Sequence, residues 1–217
     1  MNGKRKVIIF SVLILMLAAM AGVGGYYWYE NTYYVTTEDA RVTGDLVRVS
    51  PQIAAKLKEF NIEEGQMVHK DQILGQQEAT NLPDANLEMA NIRAPITGIV
   101  LKKQGTVGEV VAPGQMLAML ADPAKLYISA NIDETKVARI KEGQKADIKI
   151  DEYGDRNFTG RVVSIGQATT ATFSLLPSST GGNFTKVVQK VPVKIQLDQH
   201  DVTLKPGTSA VVKIRVR

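Results

Sequence analysis

Cysteine is absent from the 217 residues, so no disulfide framework, no thiol chemistry and no cysteine-bound metal is available, and the folded parts must be held by packing alone. Histidine occurs only as His69 and His200, neither at a spacing with other ligand types that would build a zinc site. No Ser/His/Asp signature is present, and Gly181-Gly182-Asn183-Phe184-Thr185-Lys186 lacks the Gly-Lys-Ser/Thr ending of a phosphate loop. No catalytic, cofactor-binding or metal-ligating residue is therefore assigned, and no cofactor is expected. Asn157-Phe158-Thr159 and Asn183-Phe184-Thr185 fit the glycosylation triplet, a pattern that arises often by chance.

A strong charge of one sign is also lacking. The formal net charge is +4, and setting aside Lys4, Arg5 and Lys6 leaves +1. The remaining charges are interspersed, as in Lys136, Arg139, Lys141, Glu142 and Lys145, which reads as solvated surface and not as a phosphate-tracking stripe. Nucleic acid is excluded as a partner on this ground.

What the chain does have is one long charge-free run, Val7 to Tyr29, about 35 Å as a helix at about 1.5 Å per residue. That length crosses a hydrocarbon core of about 30 Å. Lys4, Arg5 and Lys6 precede the run and should stay cytoplasmic, and Tyr26, Tyr27, Trp28 and Tyr29 form an interfacial aromatic belt at its far end. The reading is a cytoplasmic tail over 1–6 and a single-pass bilayer anchor over 7–29, with the remainder extracytoplasmic. A cleaved signal peptide competes, because Ala19-Met20-Ala21 offers small residues at a peptidase spacing. The apolar stretch continuing into the aromatic cluster favours the anchor.

With 44% hydrophobic residues, a folded ectodomain is expected. An internal repeat organises it: Pro51 to Leu74 and Pro95 to Leu117 follow one template. Each copy opens at a Ser-Pro or Ala-Pro pair and runs through a short apolar segment, Ala55-Lys56-Leu57-Lys58 or Ile99-Val100-Leu101-Lys102. Each then reaches a Gly-led turn, Gly65-Gln66-Met67-Val68 or Gly108-Glu109-Val110-Val111, and ends in Gln72-Ile73-Leu74 or Gln115-Met116-Leu117. Both glycines are predicted to supply a positive φ. Two such short-strand units cannot each bury a face alone, so a pseudo-two-fold pairing into a flattened sandwich is predicted. The arrangement resembles the lipoyl or biotinyl carrier fold. A carrier, however, needs a primary amine at the tip between its halves, and Gln76 to Asn91 contains neither Lys nor Arg.

Beyond the repeat, period-2 alternation predicts strands. Leu126, Ile128, Ala130 and Ile132 form one apolar face, followed by Ala146, Ile148 and Ile150, then Val191, Val193, Ile195 and Leu197, then Val212, Ile214 and Val216. A small antiparallel barrel with one buried face follows. Asp133 is predicted to cap a helix from Glu134 to about Lys141, closed by Gly143 and covering one barrel end. Pro192 lacks a ladder donor, so its strand is expected at an edge, or that position away from pairing. Ala168 to Thr185, rich in Ser, Thr and Gly, reads as a long surface loop.

Taken together these stretches resemble the HlyD-type membrane fusion proteins, specifically the EmrA-like adaptors of multidrug pumps. Thr37 to Gly44 is similar to the family's first strand, and Val47-Arg48-Val49-Ser50-Pro51 leads into the first lipoyl-like half. Ile92-Arg93-Ala94-Pro95-Ile96-Thr97-Gly98 opens the second. Phe173-Ser174-Leu175-Leu176-Pro177 and Lys186 to Val193 resemble the family's barrel domain. Family members usually insert a long helical hairpin between the halves, whereas here the connector is only 77–91 and Pro83 interrupts any helix in it.

The expected fold is mainly β: the anchor, a lipoyl-like sandwich over 36–123 with halves 45–76 and 92–121, and a β-barrel over 124–217 with a loop at 168–185. The resemblance implies a non-enzymatic adaptor in a cytoplasmic membrane that serves an export transporter, of the major facilitator type if the EmrA likeness extends that far. It further implies self-association. The rival reading is an anchored extracytoplasmic envelope-binding module without a pump.

Overall fold

The computed structural model describes residues 3–78, 88–154, 156–173, 188–198 and 201–217. Most of the expected connector, with Pro83, and most of the loop 168–185 lie outside these residues, as do Ser174 to Pro177, the Asn183 triplet and His200. The chain begins with α1 (Gly3–Tyr33), which extends beyond the charge-free run at both ends. Strands β1 (Tyr34–Thr43), β2 (Leu46–Val49), β3 (Ala55–Phe60), β4 (Met67–Val68) and β5 (Ile73–Gln77) follow. Next come β6 (Asn91–Arg93), β7 (Gly98–Lys103), β8 (Val110–Val111), β9 (Ala118–Ala121) and β10 (Tyr127–Asp133). A single helical turn, α2 (Glu134–Val137), precedes β11 (Lys145–Ile150), β12 (Asn157–Ile165), β13 (Lys190–Leu197) and β14 (Ser209–Arg215).

Two compact units result, one of Arg41–Ile128 with Gln199–Thr208 and one of Met1–Ala40, Ser129–Asp198 and Ser209–Arg217. In the first, two four-stranded sheets run in the orders β2-β9-β7-β4 and β6-β5-β3-β8. Exchanging β2, β3, β4 and β5 for β6, β7, β8 and β9 turns one order into the other, which is the pseudo-two-fold in topological form. The backbone repeats it bond for bond. Gly65 N–H donates to Val100 O at 2.8 Å and Gly108 N–H to Leu57 O at 2.7 Å. His69 N–H donates to Gln72 Oε1 at 2.9 Å and Ala112 N–H to Gln115 Oε1 at 3.1 Å. Gly65 and Gly108 have φ of 86° and 93°, the left-handed values that favour residues without a Cβ.

These bonds also correct the alignment of the repeat. Leu57 and Val100, both fully buried, are equivalent, so Ala55 to Lys58 matches Gly98 to Leu101 and not Ile99 to Lys102. Likewise, Asp71 N–H donates to Ala94 O while Gly114 N–H donates to Pro51 O. The counterpart of Pro51 is therefore Ala94, and Pro95 lies one position off. The prolines mark the same corner without sharing a register, because burial and ladder bonding set register in a sheet.

The symmetry is broken where the two halves share one core. The first half supplies Phe60 and Ile62, both 2% exposed. The second has Lys103 and Gly105 in those places. A Cβ on Gly105 would sit 3.2 Å from Phe60 and Leu117 and 3.3 Å from Leu57, so the missing side chain leaves room for the large ones. Lys103 Nζ instead donates to Phe60 O at 3.1 Å and lies 5.5 Å from the Phe60 ring centroid. A second asymmetry is testable. Asp71 holds φ 65° where its counterpart Gly114 holds φ 83°, and nothing lies within 4 Å of a Cβ on Gly114. Gly114→Ala is therefore expected to cost about 1 kcal/mol from the dihedral alone, while Asp71→Gly costs nothing. Urea midpoints of the two variants would check this.

In the second unit the strands close as β1-β10-β13-β12-β11-β14. Ala130, Ile148, Val193, Ile195, Val212 and Ile214 are at most 1% exposed, as the alternation predicts. β1 was read as the start of the sandwich stretch 36–123, yet it is a barrel strand, because closure requires a partner for both β10 and β14. Residues 201–208, read as barrel, cluster instead with the sandwich unit. The edge expectation for Pro192 fails, since a closed barrel has no edge. Its carbonyl accepts from Gly166 N–H at 2.8 Å, one residue beyond β12, so the missing donor falls where that ladder ends. The helix expected from Glu134 to Lys141 stops at Val137, and Asp133 makes no side-chain cap to it. Arg139 and Ile140 bond three residues back, to Lys136 O and Val137 O, a tightening that turns the chain and buries Ile140.

Candidate membrane-proximal interface

Phe10–Tyr33 is long and apolar enough to cross a membrane, and none of it is buried within the protein. About 24 residues at about 1.5 Å each give roughly 36 Å. Side chains such as Leu15, Met16, Met20 and Trp28 are all more than 60% exposed, which in water would be a large unpaid cost and in lipid is none. Tyr29 packs on Tyr33 with ring centroids 4.6 Å apart and approaches Tyr34 edge-on at 6.3 Å.

The last turn of α1 carries no basic residue of its own, so its open carbonyls need a donor from elsewhere. Arg139 supplies it, donating to Asn31 O at 2.7 Å and Thr32 O at 2.6 Å. The guanidinium thereby places its charge at the negative end of the helix dipole. Val216 N–H donates to Tyr33 O at 2.9 Å, continuing β14 onto the helix end. Lys213 Nζ is 2.5 Å from Glu30 Oε1 and 4.1 Å from the Tyr34 ring centroid. The hydrogen bond to Glu30 raises the Lys213 pKa above the ordinary lysine value, against an opposing desolvation. An open cleft of about 540 Å³ beside this junction is lined by Tyr27, Trp28, Glu30, Tyr34, Val35 and Lys136 among others. None of these bonds is readable from local sequence, since Arg139 is 107 residues from Thr32 and 108 from Asn31.

A second polar group knits three barrel strands. Lys190 Nζ lies 2.7 Å from Asp39 Oδ2, Asn131 Nδ2 donates to Asp39 Oδ1 at 3.0 Å, and Thr37 Oγ1 donates to Asn131 O at 2.9 Å. The bond to Asp39 raises the Lys190 pKa. This constellation contains a structural ion pair and no nucleophile paired with a base. His69 is exposed, with its backbone N–H held by Gln72. Among the described residues, no three His, Cys, Asp or Glu side chains cluster to hold a metal ion. Asn157 is exposed at the start of β12.

An exposed membrane-length helix joined to a closed barrel, with a two-fold sandwich as a second unit, defines the class of barrel-sandwich adaptors. Residues 45–122 match the family described as RND MFP, barrel-sandwich hybrid domain, and residues 126–214 match the YknX-like beta-barrel domain. A Bacillus subtilis (strain 168) protein named as efflux system component YhbJ is 37% identical over 215 residues, covering 99% of this chain and 94% of that protein. The multidrug export protein EmrA of Escherichia coli (strain K12) is 33% identical over 195 residues, covering 85% of this chain and 50% of that protein. The chain thus spans nearly all of the first and half of the second. The solved structure of MacA from Actinobacillus actinomycetemcomitans superposes with a TM-score of 0.65 at 15% identity, over 84% of this chain and 81% of that one, a likeness of fold. The chain belongs to the membrane fusion protein family, on its EmrA-like side.

Proposed function

We propose that this chain is a non-catalytic, membrane-anchored adaptor of an export system, seated beside a transporter of the cytoplasmic membrane. The observation that carries the reading is the bracket at the helix end. Arg139, Lys213 and Val216 tie the barrel to the last turn of an exposed apolar helix, so a protein that packs along α1 in the bilayer also meets the barrel. Relatives named as multidrug export proteins support the export role. The orientation that leaves Lys4, Arg5 and Lys6 in the cytoplasm puts both folded units outside.

The transporter is of the major facilitator type, as the EmrA likeness suggests, and the adaptor self-associates. Only residues 78–90 separate β5 from β6, too few for a long helical hairpin, so the chain does not itself reach a distant outer channel. The extents that go with this reading are an anchor over 7–29, a sandwich over 45–121 and a barrel built mainly from 124–217.

Deleting the protein should lower the minimum inhibitory concentration of at least one exported compound. A photo-crosslinker at Trp28, which is 69% exposed, should capture one multi-pass membrane protein. Unchanged sensitivity across a compound panel, with only lipid adducts at Trp28, would refute the pump role and leave an anchored envelope module.

A further inference from the structure

Folding brings together three cations that the sequence scatters. In the β11–β12 ladder Lys145 stands directly opposite Arg161. In the β11–β14 ladder Ala146 faces Ile214, which puts Arg215 beside Lys145 on its other side. Ala146, Val162 and Ile214 point into the barrel and are at most 2% exposed, so their neighbours Lys145, Arg161 and Arg215 all point outward, and all three are exposed. Adjacent strands lie about 4.8 Å apart, so the row spans roughly 10 Å.

Like charges directly opposite one another oppose strand pairing, and among the described residues no carboxylate stands directly opposite any of the three in these ladders. Arg161 is followed across the next ladder by the uncharged Gln196. The next row along the same strands is of mixed sign, with Asp147 opposite Lys213, and Lys213 also holds Glu30. Glu142, exposed in the turn before Lys145, pairs with none of the three among the described residues. Among the described residues Arg215 makes a long 3.5 Å bond to Tyr34 Oη and a 5.8 Å approach to its ring.

The place of the row names its partner. Arg215 is one residue from Val216, whose N–H bonds the last residue of α1, and Tyr34 is the first residue after that helix. Arg215 therefore lies at the level where a membrane-spanning α1 leaves the hydrocarbon, beside Tyr34, and Lys145 and Arg161 follow it within roughly 10 Å along the row. Phosphate groups of the outer leaflet occupy that level, and cationic side chains are drawn to anionic headgroups over about one Debye length, roughly 10 Å. We infer that Arg215, Lys145 and Arg161 form a docking face for anionic phospholipid headgroups, which presses this side of the barrel onto the membrane surface. The inference rests on the anchored reading of α1 and adds a lipid preference that the adaptor role does not require.

The test uses the full chain, whose lack of cysteine allows one reporter. Val163, 48% exposed just past Arg161, is replaced by Cys and labelled with a polarity-sensitive dye. The protein is then inserted into vesicles of phosphatidylcholine alone or of equal parts phosphatidylcholine and phosphatidylglycerol. Flotation with both vesicles establishes insertion, so failure of the anchor is seen separately. Acrylamide quenching is expected to fall about twofold or more in the anionic vesicles, and high salt should restore it. K145Q/R161Q/R215Q should abolish the difference, with a thermal unfolding midpoint no lower than the parent's. Equal quenching in both vesicles overturns the inference. So does protection that is insensitive to salt and to the triple variant, which would mark an apolar contact. Protection that appears only with a co-reconstituted transporter also overturns it, in favour of an acidic protein face.

Discussion

Gly98→Val is expected to destabilise the sandwich unit strongly. A Cβ at this position would lie 2.4 Å from Ala121 O and 2.9 Å from Ala121 C. Both are backbone atoms, so no rotamer change gives relief. Accommodating the methyl groups requires β7 to move off β9, which breaks the Ile99 to Ala121 and Val100 to Leu120 pairings and opens the core around Val100, Leu117 and Leu120. Overpacking a core costs about 1–3 kcal/mol when side chains can yield. Here backbone must yield, so about 3 kcal/mol or more is expected, a large share of the roughly 5–15 kcal/mol that holds a domain. Gly24→Val supplies the control, because a Cβ there meets nothing within 4 Å. Chemical denaturation with tertiary-structure CD would show the sandwich transition moved to markedly lower denaturant in the first variant and unchanged in the second. A Gly98→Val protein that unfolds like the parent would mean β7 and β9 are not paired as described. The requirement at Gly98 is one of space, which explains why the Ile92-Arg93-Ala94-Pro95-Ile96-Thr97-Gly98 stretch ends in glycine.

Intact mass of the protein extracted from membranes is expected to include Lys4, Arg5 and Lys6, and alkaline carbonate should leave the protein in the pellet. The two readings of the N-terminus differ here by an all-or-none outcome. Cleavage after Ala21 would release the chain. It would also leave a stub, residues 22–33, bearing Tyr26, Tyr27, Trp28 and Tyr29, all about half exposed or more. α1 instead runs unbroken through Ala19, Met20 and Ala21 to Tyr33, and its last turn is held by Arg139 and Lys213. A transmembrane helix needs about 20 apolar residues, and cleavage would remove most of them. A mature protein beginning at Gly22 and found in the wash would end the anchored reading.

Much of the fold follows from period and composition. The alternation in β10, β11, β13 and β14 fixes which side chains enter the barrel, because a strand buried on one face must repeat every second residue. The repeated Gly and Gln positions announce the two-fold, since the glycines require positive φ and the Gln side chains accept from the turn backbone. The one-residue slip between Pro51 and Pro95 was not legible, because proline marks a corner while register is set by which residues are buried. Nor was the early end of α2, where a run of good helix formers gives way to the burial of Ile140.

The sequence by itself determined that this chain has an apolar span, a doubled short-strand unit, an alternating β segment and no ready chemistry. Each of those is a local property, carried by spacing and side-chain type. Only the tertiary structure decided that β1 belongs to the barrel, that Arg139 closes a helix more than a hundred residues before it, and that Lys145 stands between Arg161 and Arg215. Those facts depend on which strands become neighbours, and strand partners are chosen by closing hydrogen-bond ladders across the whole chain, a condition no single segment contains.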